Sequence, residues 1–332
     1  MKNLIYPQDN AVINTYTEIQ NKFIESIKEN GIDSALEWLL PLKKNDELSK
    51  SKSICFTWDE STSPYVFELS EDATFSVVYS VCVNENKLKL SNFKIGQKYY
   101  WRVNNGNVHT FETLNNSYRF IDIEGALNVR DIGGINIKQG LVYRGSEIET
   151  LYKISDEGKS TFVDLLKIET EVDLRVEGDK CDRASFAGER VRYKCLPYRP
   201  YLEIFEDIHK KELFDIMEFL SDEKNYPVYF HCLGGADRTG MLAMYLRAIA
   251  GESDEDILID YELTSLSNYA YGLTEGVGAL GFRSRNADYF VGFLERLKAY
   301  QGKNLSQNIV SFILDCCVKP ETIEKIRMII LK

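Results

Sequence analysis

The chain has 332 residues, which is more than one typical domain needs and predicts two folded units. Hydrophobic residues make up 44% and charged residues 27%, a globular composition that excludes a disordered or collagen-like protein. The net charge is -11, from 40 Lys and Arg against 51 Asp and Glu, which argues against a broad nucleic-acid or anionic-membrane surface.

The cysteines and histidines indicate neither a disulfide framework nor a metal site. The cysteines are odd in number, irregularly spaced and without paired C-x-x-C units, so we expect free thiols. His109 and His209 have no partners at ligand spacing, and we expect no metal and no cofactor. The seven cysteines are Cys55, Cys82, Cys181, Cys195, Cys232, Cys316 and Cys317.

No apolar run approaches the ~18 residues that a membrane span needs, so no span is predicted. Residues 1–10 include Lys2 but no apolar stretch of the length of a signal sequence. This pattern favours the cytoplasm, although a secreted protein whose leader had been removed would look the same.

The first third of the chain is predicted to form a small β-sandwich domain over residues 1–116. Apolar residues at helical spacing over 17–42 predict a helical pair inserted near its start. The stretch 96–103, followed by 111–113, resembles the late strands of fibronectin type III-like domains, and an unrelated small β domain is the alternative. Six runs rich in β-branched and aromatic residues predict strands: 53–58, 65–69, 74–83, 87–93, 98–103 and 108–113.

Beyond Asn116 the pattern changes to an alternation of strand-like and helical runs. Such alternation predicts an α/β domain with a mainly parallel central sheet over residues 117–332. The predicted strands are 142–144, 171–174, 192–195 and 228–230. The predicted helices are 156–166, 211–220, 241–250, 253–264, 287–300 and 320–331.

A segment between a predicted strand and a predicted helix has the composition of a phosphate-binding loop. It reads His-Cys-Leu-Gly-Gly-Ala-Asp-Arg-Thr-Gly at 231–240. A phosphate dianion needs converging N–H donors and a positive dipole, which a helix N-terminus preceded by a tight loop provides. We therefore predict that phosphate is bound by Leu233, Gly234, Gly235, Ala236, Asp237 and Arg238.

Three features of this loop point to nucleophilic chemistry on phosphate. Gly234 and Gly235 let the backbone curl around an anion without a Cβ in the way. The planar guanidinium of Arg238 can bind two equatorial oxygens at once. The positive surroundings should favour the thiolate of Cys232, which is the nucleophilic form. Cys232 is thus the predicted nucleophile, and a buried structural cysteine is the alternative.

With its C-x5-R spacing and flanking residues, the loop resembles that of the protein tyrosine phosphatase superfamily. Within it, the sequence resembles a bacterial group with the loop H-C-x-x-G-K-D-R-T-G. The segments 124–134, 141–145, 172–177 and 254–261 also match that group, and the resemblance covers roughly 118–332. It implies a three-layer phosphatase fold for the second domain. The group's loop lysine, associated with phosphoinositides, is Ala236 here, which puts lipid substrates in doubt.

The resemblance also implies a mechanism. The Cys232 thiolate attacks phosphorus, and water hydrolyses the resulting phosphocysteine. Arg238 and the loop amides stabilise the equatorial oxygens, Thr239 hydrogen-bonds the departing sulfur, and His231 orients the loop. A phosphotyrosine substrate is expected, with phosphoserine and phosphothreonine as further substrates.

The leaving oxygen needs a proton donor. The resemblance implies Asp237, while Asp207 from the preceding loop is the alternative, and Asp237 would then only brace the loop. Four residues at a strand end and in the entry turn are expected to support the loop: Asp173, Arg175, Arg130 and Asp131.

The predicted partner is a phosphorylated protein or a small phosphomonoester, with no nucleic acid. Tyr198, Tyr201 and Phe205 are expected to wall an aromatic slot. Two other functions stay open: an inositol-phosphate or phosphoinositide phosphatase, and a phosphate-binding module without turnover. The N-terminal domain is expected either to bind an unknown partner or only to stabilise the catalytic domain.

Overall fold

The computed structural model describes residues 5–42, 47–59, 63–176, 183–268 and 282–332, without the side chains of 40 and 282–287. The chain forms two compact units. The first comprises Met1–Thr17 with Ser51–Phe120, and the second comprises Glu18–Lys50 with Ile121–Lys332. The chain therefore enters the second unit, returns to the first, and then completes the second.

The first unit consists of two sheets that share one core. The larger sheet has the strand order β1-β7-β6-β3-β4, and β2 pairs with β5 in the smaller one. Phe56 of the smaller sheet packs its ring edge-on against Phe67 and Trp101 of the larger sheet, with centroids 5.0 and 5.4 Å apart. The strands are β1 (Ala11–Ile13), β2 (Ile54–Thr57), β3 (Tyr65–Ser70), β4 (Val78–Val83), β5 (Lys87–Leu90), β6 (Lys98–Val103) and β7 (His109–Thr113).

Each of the six predicted β-runs overlaps one of these strands, but β4 begins four residues later than predicted. The reason lies in the Asp72 side chain, which accepts hydrogen bonds from the backbone of Thr74 (2.8 Å) and the hydroxyl of Ser76 (2.8 Å). These bonds fold 72–77 into a turn, so the extended run starts only after it. The resemblance to fibronectin type III-like domains stays a prediction.

The helices α1 (Glu18–Asn30) and α2 (Ile32–Leu42) belong to the second unit, not to the first as predicted. Gln20 is buried and its amide donates to the carbonyls of Leu48 and Lys50, both at 2.8 Å. The backbone of Leu48 in turn donates to the carbonyl of Leu266 (3.1 Å). Helical periodicity shows which face of a helix is buried but not what covers it, which explains the error.

The second unit is built on a sheet with the strand order β12-β11-β13-β10-β9. The pairs β12–β11, β11–β13 and β13–β10 are parallel, and β9 runs antiparallel to β10. The predicted mainly parallel sheet is confirmed. Its strands are β9 (Arg130–Asp131), β10 (Val142–Gly145), β11 (Thr170–Asp173), β12 (Arg192–Cys195) and β13 (Val228–His231), while the two-residue strand β8 (Arg119–Phe120) ends the first unit.

Helices cover this sheet, as the alternating pattern predicted. They are α3 (Asp156–Ser160), α4 (Asp207–Leu220), α5 (Asp237–Ile249), α6 (Asp254–Glu262), α7 (Phe282–Lys298), α8 (Leu305–Asp315) and α9 (Pro320–Ile330). From Thr239 onward every residue of α5 is buried, which makes it the central helix of the core. Among the described residues, no helix combines the length and apolar character needed to cross a bilayer.

The cysteines differ from the prediction at one position. Cys195, at the end of β12, takes part in a disulfide bond, so the expectation of free thiols is wrong there. An odd number of cysteines excludes a fully paired framework but not a single bond. Cys181 lies outside the described residues. The free thiols are those of Cys55, Cys82, Cys232, Cys316 and Cys317.

Candidate active site

The strand β13 and the helix α5 position the predicted phosphate loop. All four residues of β13 are buried, and the strand lies between β10 and β11. Its last residue, His231, is in register with Gly145 on β10 and Asp173 on β11. Residues 232–236 therefore turn from the carboxyl edge of a parallel sheet into a helix, the place where α/β proteins bind ligands.

Hydrogen bonds from outside residues 232–236 hold the carbonyl groups of this turn. Each carbonyl from Cys232 to Gly235 accepts at least one such bond. The donors, in order along the loop, are His231 Nδ1 (3.0 Å), the Glu147 backbone N–H (3.0 Å), Asn128 Nδ2 (3.1 Å), and Asn128 Nδ2 with Arg144 Nη2 (3.0 and 2.9 Å). These bonds fix the orientation of four successive peptide planes.

The fixed carbonyls determine where the loop amides point. In a planar trans peptide the N–H of the next residue is directed away from the carbonyl oxygen. The amides of 233–236 thus face away from the bonded carbonyls, and within the described residues none of them donates a hydrogen bond. Together with the N-terminus of α5, they form an amide-lined cup suited to an anion.

Gly235 has a conformation and a packing that require glycine. Its φ is +66°, in the left-handed region, and a Cβ there would lie 2.3 Å from the carbonyl carbon of Gly145. The predicted role of this glycine in the curl of the loop thus has a steric basis. Cys232 precedes the turn and is only 3% exposed.

Three residues that were predicted to act with Cys232 begin helix α5. Asp237 and Arg238 are half-buried, and Thr239 is fully buried. The Thr239 hydroxyl has no hydrogen-bond partner within the described part of the chain. A buried hydroxyl without a protein partner is uncommon and is available to a reacting group.

Asp237 accepts a hydrogen bond from the hydroxyl of Tyr201. Burial, together with the neighbouring Tyr261 and Asp237, raises the pKa of Tyr201 well above its usual value, so this hydroxyl stays protonated. Asp207, the alternative acid, lies at the start of α4 with its side chain 93% exposed and pairs with Lys210 at 3.0 Å. Tyr201 thus links Asp237 to the turn 201–205, which precedes α4.

The predicted aromatic slot is wrong for two of its three residues. Tyr198 is fully buried, and its hydroxyl bonds that of Tyr245 (2.7 Å). Phe205 packs against Phe312, with ring centroids 4.8 Å apart, in the core. Of the three, only Tyr201 contacts a residue of the loop segment, through its hydrogen bond to Asp237.

A buried carboxylate organises the arginines behind the loop. Asp260 on α6 lies 2.5 Å from Arg144 Nη1, 3.4 Å from Arg130 Nε and 3.4 Å from Arg247 Nη2. Burial alone would raise the pKa of the Asp260 carboxyl, but the charges of Arg247, Arg144 and Arg130 hold it well below its usual value. Asp260 thus remains ionised in the core.

Two of these arginines connect Asp260 with the loop. Arg144 bonds the carbonyl of Gly235 directly, and Arg130 Nη1 donates to Asn128 Oδ1 (2.5 Å), which orients the Asn128 amide. Among these residues, sequence reasoning gave a supporting role only to Arg130. Asn128 and Arg144 lie within the family-like segments 124–134 and 141–145, which was the signal available for them.

The remaining predicted support residues are placed as follows. Arg175 forms a two-pronged ion pair with Asp173 (Nε–Oδ1 2.8 Å, Nη2–Oδ2 2.5 Å) and also reaches Glu149 at 2.6 Å. Asp131 accepts from the backbone N–H groups at 133 (2.8 Å) and 140 (2.6 Å), which closes the entry turn on itself. Asp131 thus braces that turn through backbone bonds.

The chain is similar to proteins found among curated sequences and among solved structures. A curated tyrosine-protein phosphatase candidate of Cupriavidus necator is 25% identical over 179 residues, covering 44% of this chain and 63% of that protein. The chain thus spans just under two thirds of that relative's length. Among solved structures, the core catalytic domain of the PP-IP phosphatase SIW14 from S. cerevisiae, in complex with citrate, is 18% identical and covers 50% of this chain and 91% of that chain, with a TM-score of 0.30. P. aeruginosa TpbA is 17% identical and covers 55% and 89%, with a TM-score of 0.32.

The sequence pattern of the tyrosine phosphatase family matches residues 121–303, which is more than half of the chain. The match spans the parallel strands β10 to β13, the loop with Cys232 and the helices α5 and α6. The chain belongs to the tyrosine phosphatase family.

Proposed function

We propose that this chain is a phosphatase that hydrolyses phosphate monoesters through a phosphocysteine on Cys232. The observation that carries the proposal is the orientation of the loop. Its carbonyls from Cys232 to Gly235 are bonded from behind, so its amides are left for an anion. A nucleophilic sulfur at the start of such a cup is suited to in-line attack on a bound phosphoryl group.

In the first step the Cys232 thiolate forms an S–P bond while the P–O bond to the leaving group breaks. The leaving oxygen takes the proton of Asp237. The loop amides and Arg238 stabilise the charge on the equatorial oxygens. A phosphocysteine and a free alcohol or phenol result.

In the second step water attacks the phosphocysteine and the S–P bond breaks. The Asp237 carboxylate accepts a proton from the attacking water, which restores the acid. The Thr239 hydroxyl donates to the departing sulfur, a role supported by its burial without a hydrogen-bond partner among the described residues. Inorganic phosphate and the Cys232 thiolate result.

We propose phosphotyrosine as the main substrate, with phosphoserine and phosphothreonine as further substrates. Ala236 stands where the resembling group has its loop lysine, and it is buried at 1% exposure among apolar side chains. The position carries no charge for a second phosphate group. This supports a substrate with a single phosphate monoester over a phosphoinositide.

The decisive experiment compares the wild-type chain with Cys232→Ser on p-nitrophenyl phosphate. The expected result is loss of turnover in the variant, while Cys82→Ser, which alters an exposed free thiol of the first unit, keeps wild-type rates. Turnover that survives in Cys232→Ser would disprove the mechanism. Vanadate binding without hydrolysis by the wild type would identify a silent phosphate-binding module.

The substrate class needs a second comparison. Rates on a phosphotyrosine peptide, a phosphoserine peptide, inositol hexakisphosphate and a phosphoinositide should rank the phosphotyrosine peptide first. A higher kcat/KM on either inositol compound would replace the proposed substrate while leaving the phosphocysteine chemistry intact.

A further inference from the structure

His231 lies between two oxygen acceptors. It is fully buried, its Nδ1 is 3.0 Å from the carbonyl of Cys232, and its Nε2 is 3.1 Å from Oε1 of Glu171. A neutral imidazole carries one N–H and one lone pair, so one of these contacts would set a lone pair against an oxygen. Only the doubly protonated ring donates to both.

Glu171 is equipped to remain a carboxylate in this buried place. It lies on β11 with no exposed surface and accepts from Arg183 Nη2 (2.8 Å) and the Ser185 hydroxyl (2.5 Å). Burial alone would raise the pKa of the Glu171 carboxyl, but the hydrogen bond and charge of His231, with Arg183 and Ser185, hold it below its usual value.

The charges around the ring raise the pKa of His231. Burial alone would lower the pKa of His231, but the hydrogen bond to Glu171 and the charges of Asp173 and Glu171 raise it above its usual value. The titratable and charged groups on the surrounding elements are Glu171 and Asp173 on β11, Arg175 and Arg183 after it, Glu147 after β10, and Tyr229 and Cys232 on the strand and loop of His231 itself.

We propose that Glu171 is a positioning residue that holds His231 as a cation, so that His231 fixes the first loop carbonyl and stabilises the Cys232 thiolate. The consequence for catalysis rests on the proposed phosphatase function, whereas the charge state of His231 does not. Glu171 itself bonds the far side of the ring from Cys232.

The position of the His231 ring determines the direction in which Glu171 affects the Cys232 thiolate. The cationic ring lies between Glu171 and the carbonyl of Cys232, so the positive end of the ion pair is the end nearer to Cys232. Glutamine at 171 keeps the size of the side chain, and its amide can donate to Nε2 of a neutral ring. His231 then keeps its Nδ1–H bond to the Cys232 carbonyl. Glu171→Gln thus removes the charge while both hydrogen bonds of the His231 ring can persist.

The test is NMR titration of the histidine rings, since the chain has only three histidines. Single His109→Gln and His209→Gln variants assign the signals. In the wild type His231 should stay protonated to a pH above the ~6.5 of an ordinary histidine. In Glu171→Gln its titration should move to lower pH. Glu169 is an exposed carboxylate next to β11, and in Glu169→Gln the titration of His231 should not move.

Thiol reactivity gives a second readout. Alkylation of Cys232 by iodoacetamide at mildly acidic pH should slow about tenfold in Glu171→Gln and not in Glu169→Gln. An unchanged His231 titration would overturn the proposal, even if Glu171→Gln lost phosphatase activity through a structural defect. A wild type without turnover would refute the proposed function while leaving the titration result valid.

Arg183→Gln keeps the proposal falsifiable if Glu171→Gln fails to fold. Arg183 partly neutralises Glu171, and its side chain retains 17% exposure. Removal of the Arg183 charge should strengthen the attraction between the Glu171 carboxylate and His231, and should therefore move the titration of His231 to higher pH. A shift to lower pH, or none, would contradict the role assigned to Glu171.

Discussion

The hydroxyl of Tyr201 donates a hydrogen bond to the carboxylate of Asp237. Tyr201 opens the short turn before α4, and Asp237 is the first residue of α5. The Tyr201 hydroxyl also lies 2.7 Å from that of Tyr261 on α6. The orientation of the proposed acid therefore depends on a residue outside the phosphate loop.

Asp237→Asn should slow the hydrolysis of phenyl phosphate by about 10²-fold to 10⁴-fold, the range of general acid catalysis. The loss on p-nitrophenyl phosphate should be smaller, because p-nitrophenolate leaves with less need of a proton. Steady-state kcat on the two esters measures the difference.

Asp207→Asn is the matched control, because it removes the alternative acid from an exposed helix start. It should leave both rates unchanged. A loss that depends on the leaving group in Asp207→Asn, and not in Asp237→Asn, would assign the acid to Asp207.

Asn128→Asp should lower kcat/KM on p-nitrophenyl phosphate by about 10²-fold. The substitution keeps the shape of the side chain, and aspartate tolerates the positive φ of 57° at this position. It replaces the NH2 group that holds the carbonyls of Gly234 and Gly235 by an acceptor. Those peptide planes would then lose their fixed orientation.

Asn136→Asp provides the comparison for Asn128→Asp. Asn136 Nδ2 also donates to a backbone carbonyl, that of Ala250 at 3.1 Å, but lies outside the phosphate loop. Its replacement should affect stability and not kcat/KM. Equal activity losses in the two variants would argue against a specific role for Asn128.

Asp260→Asn should lower the free energy of unfolding of the second unit by about 3–5 kcal/mol, because it leaves buried guanidiniums without their shared carboxylate. Urea denaturation monitored by circular dichroism measures this loss. Glu255 is an exposed carboxylate on the same helix, and Glu255→Gln should change the free energy of unfolding little.

The effect of Asp260 should also depend on pH. The folded protein holds the pKa of Asp260 below the ~3.9 of an unfolded aspartate, so its stabilising contribution is present above that pH. The contribution is lost as the pH falls toward the folded value. The difference between wild type and Asp260→Asn should therefore shrink on acidification, and a constant difference would contradict this assignment.

A fragment of residues 117–332, the predicted catalytic domain, should lose p-nitrophenyl phosphate hydrolysis at a lower temperature than the full chain. It lacks α1, α2 and the segment 47–50, whose Glu47 accepts from the Ser267 hydroxyl (3.0 Å) and the Asn268 backbone (2.7 Å). The temperature of half-inactivation measures the difference.

Gln20→Leu in the full chain tests the contribution of the helices alone, because the rest of residues 1–116 is still present. It removes the bonds to the carbonyls of Leu48 and Lys50 and should cost about 1–3 kcal/mol. A fragment with the half-inactivation temperature of the full chain would show that the helices are dispensable for the second unit.

Local patterns in the sequence were sufficient to predict the parallel sheet and the phosphate loop. The strand 228–231, the two glycines and the helix beginning at Asp237 adjoin one another, so short-range conformational preferences define them. The same holds for the Asp173–Arg175 pair, whose members lie two residues apart.

Contacts between residues far apart in the chain could not be predicted in this way. Arg144 and Asp260 meet across 116 residues, and neither position shows a local sign of its partner. Tyr198 was expected at the site, yet a tyrosine two positions from the end of a loop can face either the core or the site. The structure places it in the core, against Tyr245.

The order in which the two units use the chain has a consequence for synthesis. Helices α1 and α2 leave the ribosome early, while Leu266, which pairs with the backbone of Leu48, is made only after the whole first unit. The nascent helices must therefore wait for their partners in the second unit while residues 51–120 are being synthesised. A chaperone that shields helices α1 and α2 during translation would be needed most in that interval.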